Sequence, residues 1–203
     1  MQRAATDAPV PYAVAARALL RSTLLDAMRE QLATREWTAV TMAEVARAAG
    51  VSRQTLYKAF GSRQEFAQAY VLREVDHFLE GVETAVEVHR DEPARGLAAV
   101  FDVLLTAAAD DPLVREIVSA DGGAELLPLV TTQGKPVLEH ATERLAAFLD
   151  EAWPAMAPEQ AQLLAECVVR LAISHAALPS GPAGMTADSV ATLLGPYLEG
   201  VLA

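Results

Sequence analysis

Cysteine is almost missing from this chain: Cys167 is the one thiol in 203 residues. A single thiol cannot close an internal disulfide, so packing must hold the fold, and a reducing, cytoplasmic setting is expected. Aromatic residues are only 5% of the chain. The β-branched and aromatic runs that build sheets are scarce, which argues against a sandwich or barrel. The four histidines, His77, His89, His140 and His175, include no pair three or four residues apart, and none has the lone cysteine nearby. Zinc-ligand spacing is therefore lacking. There is no glycine-rich phosphate loop and no nucleophile elbow. No metal, cofactor or enzymatic activity is expected. No apolar run reaches the roughly 18 residues of a membrane span, and Met1–Asp7 has no signal-peptide core.

What remains is rich in alanine and leucine, with apolar residues at 52%. These are strong helix formers, so the expected class is all-α. The net charge is −11, but it is unevenly distributed. Residues 1–75 hold ten Lys/Arg against seven Asp/Glu, or +3, which leaves −14 for the remainder. Attraction to phosphate follows the local field rather than the total, so a basic head on an acidic body is compatible with nucleic acid.

Residues 1–12 read as a polar tail. From Ala13 the chain repeats Leu20, Leu24, Met28 and Leu32 at four-residue spacing, the stripe of a helix. Thr41 followed by Glu44 has capping-box spacing. Gly50 breaks that second helix, Ser52 caps a third, and Gly61-Ser62 ends it and starts a long fourth. The inward side of the fourth is read as Phe66, Tyr70, Val75, Phe78, Leu79, Val82 and Val86, with a stop near His89. Further helices are expected over Ala94–Ala109, Pro112–Ser119, Pro136–Glu151, Pro158–Ala177 and Thr186–Leu202. Residues 121–123 read as a turn and 179–184 as a loop. Residues 124–133 stay ambiguous, because Pro128 interrupts an apolar stretch.

A short capped helix, a glycine turn and a second capped helix give the spacing of a helix-turn-helix. Val51 and Leu56 suit the joint. The outer face of the second helix is then Arg53, Gln54, Thr55, Tyr57 and Lys58. Arg can pair with guanine, Gln with adenine, and the Thr methyl can meet thymine. Tyr57 and Lys58 suit phosphates, and the helix starts at Thr41 and Ser52 can offer backbone N–H groups to them. The stretch Thr41-Met42-Ala43-Glu44-Val45-Ala46, then Ala49-Gly50-Val51-Ser52, then Thr55-Leu56-Tyr57-Lys58-Ala59-Phe60-Gly61-Ser62-Arg63 resembles the signature of the TetR/AcrR family of transcriptional regulators. The resemblance covers about residues 20–75. It implies phosphate contacts at Thr41, Tyr57, Lys58 and Arg63, base reading at Arg53, Gln54 and Thr55, and packing roles for Leu56 and Phe60. Glu36 stands where the family's first helix usually ends in glycine, so a left-handed cap is not expected there.

The expected organisation is a tail (1–12), a three-helix DNA-binding domain (13–62) and a helical ligand-binding and dimerisation domain (63–203), with about nine or ten helices in all. The resemblance places the dimer interface on the last two helices. Their apolar stripes suggest Leu164, Cys167, Val168, Leu171, His175, Leu193, Leu194, Tyr197 and Leu198. A pocket for a small, mostly apolar effector is expected among Phe101, Leu104, Leu105, Ile117, Leu126, Leu138, Phe148 and Trp153, with His140, Asp102 or Thr142 as a polar handle. The function implied is a homodimeric repressor released from a palindromic DNA operator by that effector. An activator, a ligand-independent DNA binder, or a helical ligand-binding or scaffold protein with a vestigial head are the alternatives.

Overall fold

The structure is a computed structural model that describes residues 11–118, 123–178 and 183–202. Ten α-helices, one short 3-10 turn and no strands occur among the described residues. The chain divides into two compact units, one ending at Phe66 and the other beginning at Ala67.

The first unit holds α1 (Tyr12–Leu32), α2 (Met42–Ala48), α3 (Arg53–Phe60) and the start of α4 (Arg63–Val88). Leu24, Met28, Leu32, Val45, Leu56 and Phe66 are all 4% exposed or less and form its core with Trp37. Each such side chain contributes about 1.5–3 kcal/mol by leaving water. The first two turns of α1 bury nothing: Tyr12, Val14 and Leu19 are all exposed.

Glycine is required at one joint above all. After α2, Gly50 sits at φ +71. Its N–H donates to the Arg47 carbonyl, and the Val51 N–H donates to the Ala46 carbonyl at 2.9 Å. These are the two bonds of a Schellman ending, whose left-handed residue favours glycine. No non-glycine residue has positive φ among the described residues. Between α1 and α2, where Glu36 replaces the usual glycine, the chain avoids a left-handed residue by making a 3-10 turn over Trp37–Ala39. Glu36 itself is extended, with φ −75 and ψ 152.

The second unit continues α4 and adds α5 (Pro93–Asp110), α6 (Pro112–Val118), α7 (Gly123–Val130), α8 (Lys135–Ala152), α9 (Pro158–Ala177) and α10 (Ala183–Leu202). α5 lies along α10, and α8 lies along α9. The ambiguous stretch after residue 123 is helical despite Pro128, and the chain leaves it through a turn closed by Gln133 N–H to the Pro128 carbonyl at 2.7 Å. The last helix begins at Ala183, three residues before the expected Thr186. Of the expected turn at 121–123 and loop at 179–184, residues 121–122 and 179–182 lie outside the described residues, while Gly123 already belongs to α7 and residues 183–184 to α10. No helix among the described residues is long and apolar enough to cross a membrane.

Replacing Gly50 by alanine forces an L side chain into a left-handed backbone and should cost about 1–2 kcal/mol. Urea denaturation should show that loss for Gly50→Ala and a smaller one for Gly50→Asn, since asparagine tolerates this region.

Candidate nucleic-acid interface and ligand cavity

The reading head is built from its caps. Thr41 accepts from the Glu44 N–H through its side chain, while the Glu44 carboxylate accepts from the Thr41 N–H at 2.9 Å and its hydroxyl at 2.7 Å. The Thr41 side-chain and backbone hydrogen bonds, helped by Arg35, hold the Glu44 carboxyl down to about 2. Ser52 caps α3 by accepting from the Thr55 N–H at 3.1 Å, and the two hydroxyls lie 2.9 Å apart. The hydroxyls of Thr41, Ser52 and Thr55 are therefore engaged within the head.

With Leu56 and Phe60 buried, the opposite side of α3 is left to Arg53, Gln54 and Lys58, all exposed, and to half-buried Tyr57. Arg53 lies over the Tyr57 ring at 5.3 Å. Arg21 crosses from α1 to lie over the Phe60 ring at 4.0 Å and donates to the Ala59 carbonyl, fixing the far end of α3.

Arg63, expected at a phosphate, has partners within the head. The expected phosphate contact turns inward, donating to the carbonyls of Val40 at 2.7 Å and Trp37 at 2.9 Å, with its guanidinium 5.0 Å above the Trp37 ring. A guanidinium held by two carbonyls and an aromatic face acts as a fastener of the head. The sequence alone could not reveal this, because Arg63 follows the α4 cap at a position equally suited to facing outward.

An apolar cavity lies wholly in the second unit. It has a volume of about 130 Å³ and is bounded by α4, α6, α8 and α9, with Val130 at the end of α7. Val75, Phe78, Leu79 and Val82 of α4 form one wall, facing Ile117, Ala141, Leu145 and Val169. Glu74 is the ionisable side chain on the lining; it is 1% exposed and takes Arg73 Nη2 at 2.9 Å and His77 Nδ1 at 3.3 Å.

Of the pocket residues expected from sequence, Ile117 lines the cavity. Phe101 and Leu126 are fully buried in packed core and Trp153 is 7% exposed, with its indole N–H given to the Arg90 carbonyl at 2.9 Å. Leu105 and Phe148 pack against the core, and Leu138 borders a separate groove. Asp102 is exposed on α5 and does not line the cavity. The Leu104 side chain lies outside the described residues. His140 points to Asp76 instead, at 2.8 Å. Four of the cavity residues missed as a pocket, Val75, Phe78, Leu79 and Val82, were already read as the buried side of α4. Periodicity marks a side as inward without saying whether it meets protein or a void.

His140 belongs to a cross-helix network between α4 and α8. Arg144 Nη1 also reaches Asp76 at 2.9 Å, and its Nε and Nη2 fork onto Glu83 at 2.9 and 3.1 Å. Burial pushes the Asp76 carboxyl up, but the His140 and Arg144 contacts outweigh it and the net displacement is downward.

The residues expected at a dimer interface separate into groups. Leu164, Val168 and Leu198 are no more than 3% exposed within the single chain, so they fill its own core and have no surface to give a partner. Cys167, Leu171, His175 and Leu194 are half-buried. Leu193 at 77% and Tyr197 at 38% are open, as is Leu163 at 54%.

Acid should weaken the head through Glu44. Its folded pKa of about 2 lies below the ordinary 4.5, so the capping contribution is complete above pH 4.5 and is lost as pH falls toward 2. Glu44→Gln should flatten the stability–pH curve in that window, as measured by chemical denaturation at stepped pH. Removing Arg63 as Arg63→Met should cost on the order of 2 kcal/mol, the range for hydrogen bonds to a charged group, with a matching fall in thermal midpoint.

Comparison with known proteins agrees with this geometry. Residues 24–70 match the family described as bacterial regulatory proteins, tetR family, and residues 92–196 match the bacterial tetracyclin repressor, C-terminal domain. The chain is 39% identical over 198 residues to the HTH-type transcriptional regulator AlkX of Mycobacterium tuberculosis, covering 96% of this chain and 94% of that one. A crystal structure of the TetR family repressor AlkX from Dietzia sp. strain DQ12-45-1b, implicated in biodegradation of n-alkanes, superposes with a TM-score of 0.82 at 38% identity, covering 90% of this chain and 97% of that one. The HTH-type transcriptional activator FasR of Mycolicibacterium smegmatis is 34% identical over 123 residues, 61% of this chain and 55% of that one.

Proposed function

The chain belongs to the TetR family of bacterial regulatory proteins, and from that premise we propose that it is a homodimeric repressor released from a palindromic operator by a small, mostly apolar effector. It is a DNA-binding transcriptional regulator. The observation that carries the proposal is the face of α3: Arg53, Gln54 and Lys58 stand exposed on a helix whose other side is fastened by Leu56, Phe60 and the Ser52 cap. Arg53 and Gln54 suit base edges, and Tyr57 and Lys58 suit phosphates.

Repression follows the relative from Dietzia, which is named a repressor. That relative is implicated in n-alkane biodegradation, and the cavity here has aliphatic walls, so an alkyl-chain effector fits both. α4 is one unbroken helix from Arg63 to Val88. Its first turn is fastened to the reading head through Arg63, and its middle lines the cavity. A ligand that displaces that wall acts on the helix whose first turn holds Arg63. Coupling of about 1–3 kcal/mol, or 5–150-fold in operator affinity, is enough for a switch. Two heads are needed for two half-sites, and exposed Leu193, Tyr197 and Leu163 on the last two helices are candidates for the contact between copies. Activation is the second reading, favoured by the likeness to FasR, which is named an activator.

Anisotropy titrations against DNA upstream of the protein's own gene, with non-specific competitor and a salt series, test the reading. Specific binding should fall at roughly 10⁻⁸–10⁻¹¹ M at physiological salt. Arg53→Ala should lose about 1–3 kcal/mol of discrimination at one base pair. Lys58→Ala should weaken all sequences alike and reduce the salt slope by about one. Binding no tighter than to random DNA, or variants indistinguishable from the native chain, would count against the assignment.

A further inference from the structure

The cations of the two units are used differently. Of the seven Lys and Arg in the second unit, six make an ion pair with a carboxylate: Arg73, Arg90, Arg95, Lys135, Arg144 and Arg170. The first unit uses three arginines on its own frame. Arg21 holds α3, Arg35 reaches Glu44 at 3.2 Å, and Arg63 holds the 3-10 turn. Arg53 and Lys58 on α3 are exposed and have no carboxylate partner among the described residues, as a role on DNA requires. Arg47 on α2 and Arg17 on α1 are alike in this. Arg47 lies on the helix that crosses the DNA backbone in any helix-turn-helix, so the motif already accounts for it. Arg17 lies outside the motif.

Nothing on α1 neutralises Arg17. The positions three and four residues away are Ala13, Val14, Leu20 and Arg21, and no Asp or Glu occurs between Asp7 and Asp26. Packing does not account for this end of the helix either. Every residue from Pro11 to Leu19 is exposed, whereas Leu24, Leu25 and Met28 farther along are buried. The position of Arg17 follows from its neighbour. Arg21 lies over the Phe60 ring and donates to the Ala59 carbonyl, in the last turn of α3. Arg17 is four residues earlier, so it lies on the same face of α1 and about 6 Å farther toward the helix start. It stands one turn from that junction on α1, and exposed Lys58 stands one residue from it on α3. Two cations without carboxylate partners thus flank one point of the head.

We propose that the start of α1 is a second DNA contact, in which Arg17 takes a backbone phosphate just outside the stretch read by α3. The charge is complementary, and the surface continues the one that α3 presents. This rests on the reading of α3 given above. A phosphate contact carries no sequence information of its own but fixes register and orientation. With α3 held at its far end by Arg21, a phosphate on Arg17 sets the angle at which the recognition helix enters the groove.

The test compares the salt dependence of binding by the full chain on two probes, the upstream duplex and a random-sequence duplex of equal length. Arg17→Ala should lower affinity on both and flatten the log–log slope by about 0.9 per bound head, the value for one phosphate contact on duplex DNA. Alanine suits an exposed helix position, so the thermal midpoint should not fall. Arg17→Lys should keep the native slope, because lysine also binds phosphate as a point charge. Arg115→Ala removes the same charge from an exposed position on α6 and should leave the slope unchanged. Lys58→Ala, run in parallel, reports on α3. A slope altered by Lys58→Ala but not by Arg17→Ala would overturn this proposal and leave α3 as the reader. Equal effects of Arg17→Ala and Arg115→Ala would also overturn it, since Arg17 would then act only through the general field. A slope altered by Arg17→Ala alone would keep the α1 contact and remove Lys58 from the interface. No change in any variant would remove both.

Discussion

The two hydrogen bonds from Arg63 to the carbonyls of Trp37 and Val40 decide where α4 begins relative to α2 and α3. They close the end of a 3-10 turn that carries no left-handed residue, and they set a cation over the indole that fills the centre of the head. The Trp37 carbonyl also accepts from the Val40 N–H within the turn, and Arg63 gives the Val40 carbonyl a partner from outside it. One planar guanidinium supplies donors to both in a fixed fork, which a lysine could not match. The recognition helix, its glycine joint and its caps all sit on the frame this residue closes.

The reading head was largely legible in the sequence because its signals are local. Thr41 with Glu44, Ser52 three residues before Thr55, and Gly50 between them each act within one turn, and the backbone obeys each of them. The cavity was not legible, because it depends on which helices meet. Phe101 and Leu126 are as apolar as any lining residue, yet both are fully buried away from this cavity. Leu198 and Leu193 lie on one helix and read alike in a stripe, yet one is fully buried and the other 77% exposed. Arg63 was illegible for a different reason. A long cation beside a helix start has two directions open to it, and acceptors 23 and 26 residues away in sequence hold it inward here.

In the second unit, polar and apolar residues divide the labour on α4. Val75, Phe78, Leu79 and Val82 face the cavity, while Asp76 and Glu83 reach across to His140 and Arg144 on α8. Ala141 and Leu145, next to those two partners in sequence, line the same cavity. Partly exposed ion pairs contribute modestly in isolation. A forked arginine shared between two carboxylates is more directional, since its geometry permits little sliding of one helix past the other. The polar seam thus fixes register beside a space whose apolar walls have none of their own.

Cys167 has so far counted only as a scarcity. It is half-buried on α9, between Glu166 at the groove and Val168 at the cavity. A chain with one thiol accepts a single fluorophore or spin label without any engineered substitution, and here the attachment point falls between residues of the groove and of the cavity. Partial burial will slow the labelling reaction, and that rate itself becomes a gauge of how often the helix face opens. The residue that cannot staple the fold is a built-in observation post on its interior.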